Sequence, residues 1–263
     1  MDLKEIHKNA EIMRDKLRLK PQILGIKMLE IEMPIPKTAK KPVKDFGFHM
    51  DLCKAFHLSR WDNQTIVMTK EDMWCFEPAV GLGLVEPAEE FLNGENRFPW
   101  SIIEKKDAGK WARSFPRFKV GKYKGVISAP LNICDFEPDL FIIYCDPSQL
   151  THLLITKNCI DGEDVNTILS GHAACVYSIV PVIKNNRCSV VSPCYGDRHF
   201  AMTQDNEIIF SGPIWKLQRF VEGLIHLEKN DWQYPKAFDL NYEFKLKDNY
   251  KEIGIKMGMD YLK

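Results

Sequence analysis

Hydrophobic and polar positions follow two periods along this chain, and each period predicts a different kind of element. Leu3, Ile6, Ala10, Met13 and Leu17 recur at helical spacing behind Asp2, with Glu5 three residues on, so the opening segment reads as a capped amphipathic helix. After Pro21 the run from Ile23 to Leu29 is short, apolar and bounded by Pro and charge, which predicts a buried strand. Thr65 to Thr69, Val126 to Ala129, Leu140 to Tyr144 and Cys188 to Val191 read as further strands. Helices are predicted over Phe48 to Leu58, at Glu77-Pro78 until Gly81 and Gly83 interrupt, and over Asp107 to Arg113. Others run from Asp146-Pro147 to Ile155, from near Pro213 onward, and from Tyr250 to Leu262. The Pro- and Lys-rich stretch 32–45 reads as an exposed, mobile connection, and residues 85–120, rich in Gly, Pro and aromatics, as long ordered loops.

Strands and helices alternate with no fixed repeat and no break in composition. This predicts an α/β or α+β fold, one compact domain over residues 1–263 with a mixed, mostly buried sheet flanked by helices. With 45% hydrophobic and 27% charged residues, the chain can bury a large core, which excludes wholesale disorder. Its 36 basic and 36 acidic side chains cancel, removing the long-range attraction to phosphate that nucleic-acid binders use and leaving only local clusters such as Lys37 to Lys44. Apolar stretches fall well short of the ~20 residues that span a bilayer, and the charged, helix-like amino terminus does not read as a secretory signal. A cytoplasmic protein without nucleic-acid or membrane partners is expected.

Cysteine use narrows the chemistry. The eight cysteines, Cys53, Cys75, Cys134, Cys145, Cys159, Cys175, Cys188 and Cys194, are too sparse in so long a chain for a disulfide scaffold. They are therefore packing residues, metal ligands or reactive thiolates. The chain has no phosphate-binding Gly-rich loop with its Lys, no zinc-protease helix, no serine nucleophile elbow and no Cys-x-x-Cys pair. A metal site must then be assembled from distant segments. Gly81-Leu82-Gly83 lacks the third glycine of a dinucleotide fingerprint and reads as a packed helix breaker.

Several segments share a pattern: Gly25-Ile26-Lys27, DLCKAF with Cys53, EDMWCFEPAVGLGL with Cys75, APLNICDFEPDLFIIYCDPSQ from Ala129, SGHAAC ending at Cys175, and PCYGDR from Pro193. In that order they resemble an uncharacterised prokaryotic family, domain of unknown function number 169. The resemblance covers roughly residues 15 to 230 and implies no activity. It points to Cys53, Cys75, Cys175 and Cys194 as the cysteines to watch.

The residues themselves point the same way. Cys75 precedes the helix opened by Pro78, and Cys175 falls in the first turn of a helix that Ser170 or Gly171 can cap, where free amides stabilise a thiolate. Cys194 enters a turn with Gly196, Asp197 and Arg198 after a strand, and Cys53 shares a helix with core-facing Leu52, Ala55 and Phe56. Cys134, Cys145, Cys159 and Cys188 sit beside apolar segments and read as packing residues. Converging thiolates suit an iron–sulfur cluster; three of them with an open iron position suit Lewis-acid chemistry. Zinc is the alternative, since His49, Cys53 and His57 recur every four residues and would stack on one helical face.

Lys27, His172, Asp197 and Arg198 complete the candidate catalytic set. Lys27 interrupts an apolar strand, His172 could move a proton, and Asp197-Arg198 forms a structural ion pair or presents a guanidinium to a carboxylate. The expected function is an iron–sulfur-type redox enzyme, or a metal-dependent lyase, acting on a small anionic molecule, with an electron-transfer protein as partner in the redox case. A non-catalytic ligand-binding or regulatory module with structural cysteines is the rival.

Overall fold

The computed structural model describes residues 1–232, 234, 246–259 and 261. In chain order the elements are α1 (Leu3–Lys16), β1 (Leu24–Glu30), α2 (Leu52–Asp62), β2 (Ile66–Thr69), α3 (Phe76–Gly81), α4 (Glu89–Leu92) and α5 (Lys105–Ser114). There follow β3 (Tyr123–Pro130), β4 (Leu140–Cys145), α6 (Pro147–Asp161), α7 (Ala174–Asn185), β5 (Ser189–Val191), α8 (Tyr195–Phe200), β6 (Ile208–Pro213), α9 (Leu217–Lys229) and α10 (Asp248–Lys256). Leu262, the predicted end of the last helix, lies outside the described residues.

Local sequence explains the boundaries. Asp2 and Glu5 form a reciprocal capping box at the start of α1. Asp146 and Gln149 do the same for α6, where Pro147 occupies the first turn and Gly162 closes the helix in the left-handed conformation. The six strands form one sheet in the order β2-β3-β1-β4-β6-β5. Every pairing of these strands is antiparallel; parallel contact is confined to the isolated bridges Lys40 to Ile66 and Met50 to Met73. The fold is therefore α+β, with helices on both faces of the sheet.

Period-two alternation decides which side chains meet which helices. Leu24, Ile26, Met28, Leu140, Ile142 and Tyr144 pack with Cys53, Phe56, Val176 and Ile179 of α2 and α7. The alternate positions Phe141, Ile143, Cys145 and Phe210 pack with Met13, Leu153, Phe220 and Leu224 of α1, α6 and α9. A full run of apolar residues, such as the six buried positions of β4, needs this cover on both faces.

Three local expectations change. Residues 32–45 are not a purely solvated connection, because Met33, Ile35 and Ala39 pack on Leu29, Val67 and Ile127, and Pro42–Phe46 forms a helical turn. The helix expected from Phe48 begins at Leu52, where the Asp51 carboxylate accepts from the Lys54 amide at 2.6 Å. β6 was not anticipated, and the chain leaves it through a short turn before α9 begins at Leu217. Among the described residues no helix is long and apolar enough to cross a membrane.

Candidate metal centre

Three segments far apart in the chain carry these thiols to the α2 and α7 side of the sheet. Cys53 is in the first turn of α2, Cys175 in the first turn of α7, and Cys194 is the residue that caps α8. All three are buried. The Cys53 sulfur lies within 4.8 Å of the Cys194 sulfur, and Cys175 belongs to the same buried cluster. Asp197, in the first turn of α8, adds a fully buried carboxylate. One ligand atom from each of Cys53, Cys194 and Asp197 falls within 4.8 Å of the others. Cys194 Sγ stands 3.9 Å from Asp197 Oδ2 and accepts from the Asp197 amide at 3.4 Å.

These contacts divide the protons unequally. The hydrogen bond from Cys53 lowers Cys194 to about 5; backbone amides of Ala174, Asp197 and Gly196 add to it and together they outweigh burial. Cys53, the donor, is held far above the ordinary thiol range. At Cys175 the bond from Cys53 favours the thiolate, yet burial and the charges of Cys194, Asp197 and Asp51 prevail and raise it. Burial, then the Cys194 charge, lifts Asp197 to about 7. Of the three thiols Cys194 is the one favoured as a thiolate, and metal binding at the group would displace protons from the others.

A hydrogen-bonded frame holds Asp197. Tyr144 on β4 donates to Asp197 Oδ1 at 3.1 Å, and Thr203 donates to the same oxygen at 3.4 Å. Arg60, 1% exposed on α2, forks onto Glu207 at 2.5 and 3.3 Å, donates to Thr203 at 3.2 Å, and lies 3.9 Å over the Tyr144 ring. Asp51 adds a second buried carboxylate: its Oδ2 has no partner among the described residues, and burial, with the Cys194 charge, raises it.

The other predicted residues fall elsewhere. Cys75 caps α3 and is only half-buried; burial raises its thiol strongly, so the helix start does not make it a thiolate. It lies outside the compact donor group. Cys159 is exposed, not packed, whereas Cys134, Cys145 and Cys188 are buried as expected. His49 precedes α2, so the stack of His49, Cys53 and His57 on one helical face does not form. Ala173, in the left-handed conformation, rather than Ser170 or Gly171, begins α7.

Lys27 alternates with Ile26 and Met28 and so projects to the opposite face of the sheet, where it pairs with Asp139 at 2.8 Å. It cannot border the thiols. The Asp197-Arg198 ion pair is also absent, because Asp197 is turned into the core while Arg198 donates to the Gln204 carbonyl at 2.6 Å and reaches Asp205 at 4.0 Å. His172 sits edge-on to Trp111, with ring centroids 5.8 Å apart, and burial and the nearby Arg97 lower its pKa from the ordinary value. It belongs to a neighbouring group in which Arg97 pairs with Glu77.

Arg60, Tyr144, Asp51 and Thr203 were missed by sequence reasoning. Only Arg60 left a signal: it follows Cys53 by seven residues and Phe56 by four, so a helix places its charge on the apolar face.

The fold and site define an α+β protein with a buried cluster of thiols and a carboxylate. A family model described as uncharacterised ArCR, domain of unknown function 169, matches residues 12–223, and the chain belongs to that family. No curated protein and no solved structure matches.

Proposed function

We propose that the protein is a metal–thiolate redox protein whose centre is held by Cys53, Cys175, Cys194 and Asp197. The observation that carries this reading is the compactness of Cys53, Cys194 and Asp197, whose donor atoms lie within 4.8 Å of one another. Metal–sulfur bonds of ~2.3 Å put tetrahedral donors ~3.8 Å apart, so this spacing suits a single ion. A multi-iron cluster would interpose its own iron and sulfide atoms and needs its thiolates farther apart. The iron–sulfur expectation is accordingly narrowed to one soft ion, iron for a redox role and zinc for a redox-inert one. Cys175, which lies outside that compact group, is added as a fourth donor drawn in on binding; an ion so enclosed favours electron transfer with a partner protein over direct attack on a substrate.

A metal-dependent lyase is the second reading, favoured by one feature of the donor set. Asp197 is an oxygen donor among sulfurs and is the ligand a substrate oxygen would displace, opening a position for Lewis-acid chemistry. The small-anion part of the earlier expectation keeps no support from Lys27 or Arg198, which serve Asp139 and the 204–205 turn.

Anaerobic purification followed by metal analysis and an absorption spectrum tests the centre. One equivalent of iron with sulfur-to-metal bands, lost together in Cys53→Ser and Cys194→Ser and retained in Cys188→Ser, is expected. Metal-free, colourless protein that takes up neither iron nor zinc overturns the proposal in favour of structural cysteines.

A further inference from the structure

We infer that Tyr144 and Thr203, locked by the buried Arg60–Glu207 pair, are positioning residues that turn one chosen oxygen of Asp197 toward the sulfurs. This rests on the metal-centre reading and goes beyond it by assigning the groups that orient the ligand.

A free carboxylate offers two equivalent oxygens, and a buried one left to itself can rotate and chelate through both. Here the two oxygens are made different. Oδ1 accepts two hydroxyl hydrogen bonds, from Tyr144 at 3.1 Å and Thr203 at 3.4 Å, while Oδ2 faces Cys194 Sγ at 3.9 Å. Both hydroxyls are buried, so no solvent can replace them. A carboxylate oxygen occupied twice is a poor donor to a metal, and the other becomes the ligand atom. Asp197 is thereby fixed as a one-oxygen ligand.

The frame is rigid because Arg60 touches each of its parts. Its guanidinium forks onto Glu207, donates to the Thr203 hydroxyl at 3.2 Å and stacks 3.9 Å over the Tyr144 ring. The planar fork and flat face do both jobs at once, which an ammonium could not do. Glu207 neutralises Arg60 as a pair, so the influence on the centre runs chiefly through hydrogen bonds and orientation. Such partners of metal ligands typically change affinity 10–100-fold when removed.

Cobalt(II) is the probe, because its visible bands report ligand geometry and its sulfur-to-metal band reports thiolate ligation. Wild type, Tyr144→Phe, Thr203→Val and Cys188→Ser are titrated anaerobically with Co(II) alone. Tyr144→Phe keeps the ring that Arg60 stacks on and removes only the hydroxyl. It is expected to bind roughly 10-fold or more weakly, with shifted visible bands, an intact sulfur-to-metal band and unchanged circular dichroism. Thr203→Val should shift the bands in the same direction and provides the readout if Tyr144→Phe does not fold, and Cys188→Ser should match wild type. If both hydroxyl variants bind as tightly as wild type with the same spectrum, the positioning role is overturned while the centre stands. If wild type shows no sulfur-to-metal band with Co(II), the centre and this inference fail together.

Discussion

Arg60 follows Cys53 by two helical turns on α2, so one face of a single helix delivers both a thiol and the most deeply buried cation of the site. The thiol lies within 4.8 Å of the Cys194 sulfur; the cation reaches Asp197 indirectly, through Tyr144 and Thr203. A rotation or slide of α2 would therefore disturb the sulfur and oxygen sides of the centre together. Stability and ligand geometry are coupled through that helix.

The first prediction concerns the ion pair. Arg60→Met leaves Glu207 unpaired in a place where water is nearly excluded, and the loss should be ~3–5 kcal/mol of unfolding free energy. Joint replacement of Arg60 and Glu207 by Met removes both charges and should cost much less than the two single changes added together. Denaturant titrations of the three variants check this. Additive losses would mean that the fork contributes no coupling.

Gly81 supplies a second test. A Cβ there would stand 2.5 Å from Val176 Cγ1, so α3 and α7 meet at a point with no room for a methyl group. Gly81→Ala should destabilise the protein by ~1–3 kcal/mol through overpacking. Because Val176 adjoins Cys175, the same change should weaken metal uptake. Gly81→Ala combined with Val176→Ala, which clears the space, should recover uptake better than Gly81→Ala alone, as measured by metal titration.

His152 gives a pH dependence on the other face of the sheet, remote from the thiols. Burial lowers its folded pKa below the ordinary 6.5, so the unfolded chain binds the proton more readily. Its contribution to stability is present above pH 6.5 and is lost as pH falls toward the folded value. The stability difference between wild type and His152→Gln should thus shift in favour of the variant as pH falls below 6.5. A difference that stays constant from pH 8 to 5 would contradict the assignment.

Much of this was legible in the sequence for reasons that are now visible. Apolar runs such as Leu140 to Tyr144 are strands because both faces are covered, and local caps such as Asp2 and Asp146 mark true helix starts. Cys53 and Cys194 come together, with Cys175 in the same cluster, because their segments all end on one face of the sheet. Lys27 shows the limit: alternation puts it opposite Ile26, but nothing local says which face carries the thiols. Asp51 and Thr203 look like an ordinary helix cap and a loop hydroxyl until folding buries them. Cys75 shows that a helix start does not ensure a thiolate when burial opposes it.

The last prediction separates metal protection from mere burial at the thiols. Cys159 is exposed and should react with a small alkylating reagent under all native conditions. Cys194 is 7% exposed yet lowered to about 5, so its thiolate is present at neutral pH and only access limits its reaction. Cys53 and Cys175 are buried and raised, and should lag behind it with or without metal. In metal-loaded protein the bound ion occupies the Cys194 sulfur, leaving Cys159 as the fast site. After chelation Cys194 should join it, and its labelling should persist down to about pH 5 because the thiolate does. Mass-spectrometric mapping of alkylated peptides, with Cys194→Ser as the control, reads both sites in one experiment. If chelation leaves Cys194 labelling unchanged, burial alone shields it and the sulfur was not a ligand.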